Sequence, residues 1–470
     1  MASSGPGGKV DEKSYILEGQ RGSIASDESP NSLLEADTKQ LVPSASDDEL
    51  ARSGLLSASF NYINSIIGSG VIGIPYALHQ AGFGLGLLLL VLVAIVTDYS
   101  LVLMVRSGHI SGAYSYQGLT EAAFGRAGFI LLSFLQFVYP FIAMVSYNVV
   151  VGDTVTKVFM RIFHLESTSI MAQRWLVIGL ATIFVTIPLC LYRDIVRLAK
   201  ISFLSLFFVC LILVTIFYRL VTLKNVVPST PDAFQFANWD IIPAIGIMSF
   251  AFMCHHNTFL IYGSIENASQ KKWDRVTHAS IFASFIVSAM FGIAGYATFT
   301  GFSQGDLLEN YCWDDDVMNV SRLMFSGTIL LTYPIECLVT REVVINTFFP
   351  RDKDLGDDRA AWYRHVAITL AIVTITYFLS MSTDCLGVVL ELNGVLAAVP
   401  LAFVLPAICY LKLEQGSIFS RQKLPAVGLA LFGIVVAGVG LALLIMNFTD
   451  LDTCRHGKGL DYCFNSTVPT

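Results

Sequence analysis

One long apolar stretch limits the fold of this chain more than any other feature. Residues 53–97 contain no Lys, Arg, Asp or Glu, and the stretch is long enough to enter a bilayer. Gly68, Ser69 and Gly70 interrupt it in the middle. Unwound backbone is tolerated at membrane depth only where it lines a protein or water-filled cavity. A membrane helix broken at these residues therefore predicts a binding site near the bilayer midplane.

The overall composition is that of a polytopic membrane protein. Hydrophobic residues make up 54% of the chain and charged residues 14%, whereas charged residues make up about 25% of a typical soluble domain. Apolar segments of roughly 20 residues recur along the chain, and we predict an all-α fold with eleven transmembrane helices. The predicted spans are 54–79, 83–105, 128–157, 174–192, 197–221, 241–263, 278–301, 317–340, 363–382, 385–411 and 425–448.

The two ends of the chain differ in character from the membrane domain, which we predict to cover 53–448. Residues 1–52 carry five Lys/Arg and ten Asp/Glu among many Ser and Gly, so we expect a disordered acidic cytoplasmic tail without a cleavable signal peptide. Residues 449–470 are expected to form an extracellular or lumenal tail. Because the remaining charge is nearly balanced, the composition argues against a nucleic-acid partner and leaves membrane lipid as the surroundings.

The distribution of basic residues predicts the orientation. With the N-terminus inside, 21 of the 29 Lys and Arg residues fall on the cytoplasmic side, as the positive-inside rule requires. An odd number of spans then places the C-terminus outside. The sequon at Asn465 lies in that outside tail and is the predicted glycosylation site.

The cysteines leave several pairings open. Cys454 and Cys463 share the outside tail and are a candidate disulfide in an oxidising compartment. Cys312 with Cys385 is a second candidate pair, and free thiols remain an alternative for all four. The other five cysteines lie in apolar segments and are expected to be small buried hydrophobes.

A second anomaly lies five helices after the first. The sixth span carries a polar cluster of His255, His256 and Asn257 in mid-membrane. Inverted repeats of five helices place a discontinuous helix first in each half, so both anomalies fit a five-plus-five plan with one additional helix. The alternative is an ordinary interhelical hydrogen-bond cluster. In the five-plus-five plan the second break belongs to the substrate site, so Phe252 and His255 are candidate substrate-binding residues.

The first break has the chemistry of an anion site. Unwound backbone at Gly68, Ser69 and Gly70 frees N–H groups, and the start of the following half-helix adds the positive end of a dipole. Together these groups suit the carboxylate of an amino acid.

The other side of the same break suits a dehydrated alkali cation. Asn64 offers an amide oxygen one turn before the break, and Ile67 offers a backbone carbonyl. Thr328 and Thr332 in the eighth span share one helix face and are candidates to complete a sodium site. The alternative for both threonines is hydrogen bonding to carbonyls of their own helix.

Several titratable residues lie within predicted spans. Glu391 is either a proton carrier, a gate residue or a neutral structural hydrogen-bonder. His255 and His256 are candidate proton-linked residues, with a packed neutral imidazole as the alternative. Asp98 and Glu336 lie near the inner ends of their predicted spans, where they are expected to reach the surface. We find no nucleophile–base pair and no metal-ligand spacing, so an enzyme is not expected.

Four motifs carry a resemblance to a known family. They are NYINSIIGSGVIGIPY at 61–76, AAFG at 122–125, SFAFMCH at 249–255 and FVLPAICYLK at 403–412. Together they resemble the amino acid/auxin permease family and, within it, the sodium-coupled neutral amino acid transporters of solute carrier family 38. The resemblance covers roughly residues 50–448.

The resemblance implies a fold similar to the bacterial leucine transporter, with sodium between the first and eighth helices. By similarity, Asn64 falls on the family's sodium-linked asparagine and Thr332 on its threonine, with Thr328 as the reserve. The implied activity is sodium-coupled symport of neutral amino acids, with or without proton antiport, without a cofactor other than the coupling ion. We expect the protein to lie in the plasma membrane. The alternatives are a proton-coupled or uncoupled transporter of an endolysosomal membrane and an amino acid sensor.

Overall fold

A computed structural model describes residues 54–165, 169–192, 202–349, 358–383, 385–446 and 461–464. Every regular element in these ranges is helical. Ten helices are long and apolar enough to cross a membrane, or eleven when the bent pair at the start of the chain counts as one span. The prediction of an all-α polytopic membrane protein is confirmed. The predicted N-terminal tail, Cys454 and the sequon at Asn465 lie outside the described residues.

We number the helices by membrane span and divide the two interrupted spans into a and b. The helices are α1a Leu55–Ile66, α1b Ile74–Ala81, α2 Phe83–Ser111, α3 Tyr116–Ile162, α4 Arg174–Leu191, α5 Ser202–Thr222, α6a Ile241–Ala251, α6b Thr258–Ser264, α7 Gln270–Phe299, α8 Asp316–Phe348, α9 Asp358–Ser380, α10 Leu386–Leu413, α11 Leu424–Met446 and α12 Asp461–Phe464.

Helix α3 is longer than the predicted span 128–157 because a glycine joins two helical arms. Gly125 has φ +64° and ψ −155°, a backbone conformation that side chains other than glycine rarely adopt. In the second arm Pro140 removes one backbone donor from the helix. Beside this proline the Asn393 amide of α10 donates a buried hydrogen bond of 3.0 Å to the Tyr139 carbonyl. The contact ties α3 to α10 at mid-membrane.

The two interrupted spans lie at the centre of the bundle. In α6, 83% of the most apolar stretch is buried within the protein, against 28% in each of α4, α5, α9 and α11. Helix α6a packs against α1b on one side and α10 on the other, and α7 packs along α1a, α1b and α2. Gly394 lies directly on the backbone of Gly246 where α10 crosses α6a, so α10 could not carry a side chain at this position.

The disulfide pairing differs from both predicted pairs. Cys312 is bonded to Cys463, with the two Cα atoms 5.6 Å apart. The predictions of Cys454–Cys463 and Cys312–Cys385 are therefore wrong, and Cys385 is also disulfide-bonded. The reason is tertiary: α12 seats Tyr462 on the loop between α7 and α8, and the Tyr462 hydroxyl donates to the Asn310 carbonyl at 2.6 Å. We call the end of the bundle that carries this disulfide the outer end, and the opposite end the inner end.

Buried charges hold the loop 303–315, which we call the outer loop. Lys157 of α3 forms an ion pair of 2.8 Å with Glu309, and both side chains are almost fully buried. The Arg322 guanidinium donates to the carbonyls of Leu308 and Tyr311. Burial, followed by the nearby charge of Glu309, raises the pKa of Asp306 to about 7. The outer loop is thus tied to α3, α8 and α12.

Candidate functional site

The first span is interrupted where the glycines predict it. Helix α1a ends at Ile66, and the chain bends by 50° before α1b. The Gly68 N–H turns back to the Ile66 carbonyl at 2.9 Å, and residues 69–73 continue as a single 3₁₀ segment. The N–H groups of Ser69 and Gly70 precede the first turn of that segment and have no partner in it. The carbonyls of Asn64 and Ser65 likewise lie beyond the last regular bond of α1a.

The sixth span is interrupted at the predicted polar cluster. Helix α6a ends at Ala251, and α6b begins at Thr258. Between them, Phe252 and Cys254 are buried, and His255–Asn257 form one 3₁₀ turn. The prediction of two discontinuous spans is confirmed, whereas the inverted repeat that would relate them stays a prediction.

Side chains join the two breaks to each other. The Tyr62 hydroxyl of α1a lies 3.0 Å from the Thr258 hydroxyl at the start of α6b. One turn further along α1a, the Ser65 hydroxyl accepts a hydrogen bond of 2.6 Å from the Asn257 amide. The polar cluster therefore does form interhelical hydrogen bonds, and those bonds connect the end of α1a to the second break.

The glycines of the first break have different surroundings. A Cβ atom built on Gly70 would stand 2.6 Å from the Ala251 Cα, so this glycine is required by close helix packing. A Cβ atom on Gly68 would meet no heavy atom within 4 Å. Gly68 is half-buried and faces open space, which makes it the part of the break that a small ligand can approach.

The two threonines of α8 make the helix bonds that the alternative interpretation expects. Thr328 donates to the Met324 carbonyl at 3.0 Å, and Thr332 donates to the Thr328 carbonyl at 3.0 Å. Donation occupies the hydroxyl proton only. The oxygen of each hydroxyl keeps lone pairs that can face a cation.

A tyrosine that the sequence did not single out links α8 to the first break. The Tyr147 hydroxyl of α3 lies near the side chains of both Ser69 and Thr332. The structure thus brings the predicted substrate side and the predicted sodium side of the break to one common neighbour. Asn64 is half-buried, and its side-chain amide makes no hydrogen bond with the described residues.

The histidines occupy separate environments. His255 is fully buried, and its Nε2 lies 3.2 Å from the Ser100 hydroxyl of α2. His256 is half-buried, and its Nε2 lies 3.0 Å from the Asn257 amide. Glu391 lies in the outer part of α10, near Asp240 and Tyr76. The three predicted proton-linked residues therefore do not form one cluster.

A small and almost entirely apolar cavity next to the second break is lined in part by an acidic residue that the sequence placed elsewhere. It lies between α3, the unwound segment of the sixth span, α8 and α10, and Glu336 lines it together with His256. Glu336 was expected to reach the inner surface, but it faces this internal space. A signal was available, because Glu336 follows Thr332 by four residues and so shares its helix face. The other lining residues are Gln136, Tyr139, Pro140, Val339 and Leu401.

An all-helical bundle with two interrupted central spans that meet at mid-membrane has the architecture of a membrane transporter. The family model described as "Transmembrane amino acid transporter protein" matches residues 51–449, and the chain belongs to that family. The protein is a transporter and not an enzyme, and the family resemblance seen in the motifs is confirmed.

Individual proteins similar to this chain are found in vertebrates and in yeast. The chain is 46% identical over 435 residues to "Putative sodium-coupled neutral amino acid transporter 11" of Danio rerio, covering 93% of this chain and 95% of the relative. The relative of the same name in Homo sapiens is 45% identical over 387 residues, 82% of this chain and 93% of the relative. "Vacuolar amino acid transporter 2" of Saccharomyces cerevisiae is 32% identical over 414 residues and covers 86% of each chain.

Proposed function

We propose that the protein is a secondary active transporter that carries neutral amino acids together with sodium, without a further cofactor. The observation that carries the proposal is the meeting of two interrupted helices, joined by the Asn257–Ser65 hydrogen bond. In this proposal the N–H groups of Ser69 and Gly70 receive the substrate carboxylate at the start of a half-helix. Gly68 leaves the space that the substrate enters.

Phe252 and His255 support the backbone of this substrate site. Both side chains are buried, and they lie in the unwound segment between α6a and α6b. Phe252 supplies apolar packing, and His255 anchors the segment to Ser100 of α2. Their proposed role is therefore to hold the backbone of the break in place for a small zwitterionic ligand.

The proposed sodium site lies between α1a and α8. The amide oxygen of Asn64, the carbonyl of Ile67 and the hydroxyl oxygens of Thr332 and Thr328 are neutral oxygen donors, which suit a hard monovalent cation. Tyr147 supports this assignment because its hydroxyl lies near Ser69 of the first break and Thr332 of α8. The printed names of the vertebrate relatives, which include the words sodium-coupled and neutral amino acid, point the same way.

The proposed topology has a cytoplasmic N-terminal tail, ten helices in two inverted repeats, and α11 as the additional helix. The positive-inside count supports this orientation. The Cys312–Cys463 disulfide also supports it, because disulfides persist outside the cytosol. Asn465 then lies on the outer side, where glycosylation takes place, and the plasma membrane is the proposed location.

The test is uptake of radiolabelled neutral amino acids by purified protein in liposomes. An inward sodium gradient is expected to drive accumulation, and replacing sodium with choline is expected to abolish it. Counterflow with unlabelled amino acid identifies accepted substrates without a net gradient. Accumulation that is equal in sodium and choline would overturn the coupling proposal, and binding without counterflow would point to a sensor.

A second candidate function is proton-coupled or uncoupled amino acid transport across an endolysosomal membrane. The observation that favours it is the similarity to a yeast protein whose name places it at the vacuole. An imposed pH gradient that drives accumulation in choline medium would select this function. Localisation of the tagged full chain in cells would then distinguish the two membranes.

A further inference from the structure

Helix α10 departs from regular α-helical geometry where it passes the second break. Its first and last parts are α-helical, but Gly394–Ala398 and Pro400–Val404 form π-helical turns. We call residues 394–404 the π segment. Less than about 1% of residues in globular proteins are π-helical, and such turns are frequent at functional sites. Two of them within one buried membrane span require a physical explanation.

Pro406 leaves two carbonyl groups of the π segment without a donor from their own helix. It has no N–H group for the carbonyl of Ala402, four residues earlier. The carbonyl of Leu401 loses its usual partner as well, because the Leu405 N–H bonds to the Pro400 carbonyl instead. Leu401 and Ala402 are both buried, and a buried carbonyl group without a partner is costly.

Two hydroxyl groups from other helices supply the missing donors. The Tyr116 hydroxyl, at the start of α3, donates to the Leu401 carbonyl at 2.6 Å. The Ser100 hydroxyl of α2 donates to the Ala402 carbonyl. Both donor side chains are buried, so these bonds are shielded from water. The inner part of α10 is thus held by α2 and α3.

Ser100 also connects the π segment to the second break. Its single hydroxyl proton goes to the Ala402 carbonyl, so His255, whose Nε2 lies 3.2 Å away, donates to the hydroxyl oxygen. A chain of hydrogen bonds therefore runs from the unwound segment of the sixth span through α2 to α10. On the neighbouring residue, the Leu401 side chain lines the cavity beside the second break together with His256. A displacement of the second break would reach α10 through both contacts.

The outer end of the π segment is fixed by close packing. Gly394 lies on the backbone of Gly246 in α6a, and the adjacent Asn393 amide is bonded to the Tyr139 carbonyl of α3. At the inner end, by contrast, two carbonyl groups depend on single hydroxyl groups of other helices. The π segment therefore has one rigid end and one end that α2 and α3 can release.

We infer that the π segment is a hinge of the transport cycle and that Ser100 and Tyr116 are positioning residues that hold its inner end. The inference rests on the proposed function and deepens it, because it names the element through which the substrate site acts on the inner side of the bundle. When a change at the second break displaces His255 and Ser100, the Ala402 carbonyl loses its donor. The inner part of α10 then moves away from α2 and α3.

The first experiment uses a native cysteine as the reporter. Cys409 is a buried free thiol in the inner part of α10 and lies near Tyr116. Purified protein is treated with N-ethylmaleimide, and the rate of Cys409 modification is measured by peptide mass spectrometry. Ser100→Ala and Tyr116→Phe are each expected to raise this rate severalfold, because each releases one carbonyl of α10. A wild-type rate in both variants would overturn the inference.

Two matched variants control for the loss of a hydroxyl group. Ser107→Ala removes a buried hydroxyl of α2 that donates to the Leu103 carbonyl of its own helix. Tyr377→Phe removes a hydroxyl that donates from α9 to the Trp175 carbonyl of α4. Both are expected to keep the wild-type rate at Cys409. An equal acceleration in these controls would also overturn the inference.

A second native thiol reports general unfolding in the same samples. Cys337 is a buried free thiol of α8, and its modification is expected to stay slow in every variant. Parallel acceleration at Cys337 and Cys409 would indicate unfolding and would reject the hinge.

The second experiment restores the missing backbone donor. Pro406→Ala supplies an N–H group for the Ala402 carbonyl, so the inner part of α10 is expected to become a regular helix. The variant should be at least as stable as wild type, with slower modification of Cys409 and a severalfold lower maximal uptake rate. Combined with Ser100→Ala, it is expected to return the modification of Cys409 to the wild-type rate or below. A wild-type maximal uptake rate in Pro406→Ala would overturn the hinge.

Thiol modification separates the hinge from the proposed function. Faster modification of Cys409 in Ser100→Ala and Tyr116→Phe, in a protein that takes up no amino acid, would support the hinge and reject the proposed transport. Sodium-driven uptake with the same Cys409 rate in all variants would keep the proposed transport and reject the hinge.

Discussion

Gly70 lies so close to Ala251 that a Cβ atom on the glycine would stand 2.6 Å from the Ala251 Cα. Phe250 closes the same space, 3.0 Å from that position. The unwound part of the first span is therefore packed against the end of α6a on one face and open at Gly68 on the other. Gly68 and Gly70 are thus required for different physical reasons. We therefore expect substitution of Gly70 to affect the fold and substitution of Gly68 to affect the binding site.

Substituting Gly70→Ala should destabilise the protein. The added methyl group collides with backbone atoms that cannot rotate away, and overpacking of this kind costs about 1–3 kcal/mol. We expect a lower Tm in detergent and loss of amino acid uptake. An unchanged Tm would show that the 3₁₀ segment 69–73 and α6a separate more easily than the packing indicates.

Substituting Gly68→Ala should spare the fold and impair the site. Its φ of −121° is accessible to alanine, and the methyl group would enter open space at the break. We expect a Tm close to wild type with an apparent affinity for amino acids at least severalfold weaker. Gly70→Ala is the matched comparison. Equal KM values for Gly68→Ala and wild type would remove Gly68 from the substrate site.

Substituting Asn64→Ala should weaken sodium dependence more than amino acid dependence. The side-chain amide is half-buried next to the break and has no partner among the described residues, so its removal leaves the packing largely intact. We expect the sodium concentration for half-maximal uptake to rise about tenfold or more, which corresponds to about 1.4 kcal/mol or more of lost binding. Asn61→Ala, at an exposed position of the same helix, is the control. An equal rise in both variants would contradict the sodium assignment.

Substituting Cys312→Ser should release Cys463 and loosen the outer loop. The bond closes a sequence separation of 151 residues, and loss of a native disulfide typically costs about 2–5 kcal/mol. We expect one additional reactive thiol and a lower Tm, with the same result for Cys463→Ser. Cys210→Ser, which removes an exposed free thiol, should leave the Tm unchanged. Peptide mapping without reductant should recover the Cys312–Cys463 peptide pair.

Substituting Asp306→Asn should reduce the pH dependence of stability. Burial and the charge of Glu309 raise the pKa of Asp306 to about 7, whereas an unfolded Asp titrates near pH 4. Between those values the folded protein binds a proton that the unfolded chain does not, so stability falls as the pH rises from about 4 to about 7. The asparagine stays neutral and keeps the oxygen that accepts from the Leu308 N–H.

The measurement for Asp306→Asn is Tm at pH 5.5 and at pH 8. Wild type should lose more stability than the variant between these pH values, and the variant should be the more stable of the two at pH 8. Parallel pH profiles for the two proteins would show that Asp306 is charged throughout this range. If the prediction holds, Asp306 stabilises the fold most at acidic pH, as in an acidic compartment.

Residues that break a helix could be found in the sequence, whereas the position of a residue along a helix could not. Glycines inside an apolar span and three adjacent polar residues are local signals, and both breaks occur where they indicate. Glu336 was misplaced because the predicted eighth span ends at residue 340, while α8 continues to Phe348. The predicted span ends at residue 340 because polar residues follow it. In the structure Arg341 is nevertheless buried, and its guanidinium donates hydrogen bonds to α4 and α9.

The sequence by itself determined the apolar spans, the two interruptions and the family, because hydrophobicity, backbone freedom at glycine and motif spacing are properties of short segments. Only the tertiary structure decided which groups meet. Cys463 reaches Cys312 because α12 docks on the outer loop, and Asn257 reaches Ser65 because the two interrupted spans pack against each other. Such contacts join residues far apart in the chain, and they depend on how whole helices pack rather than on the residues nearby.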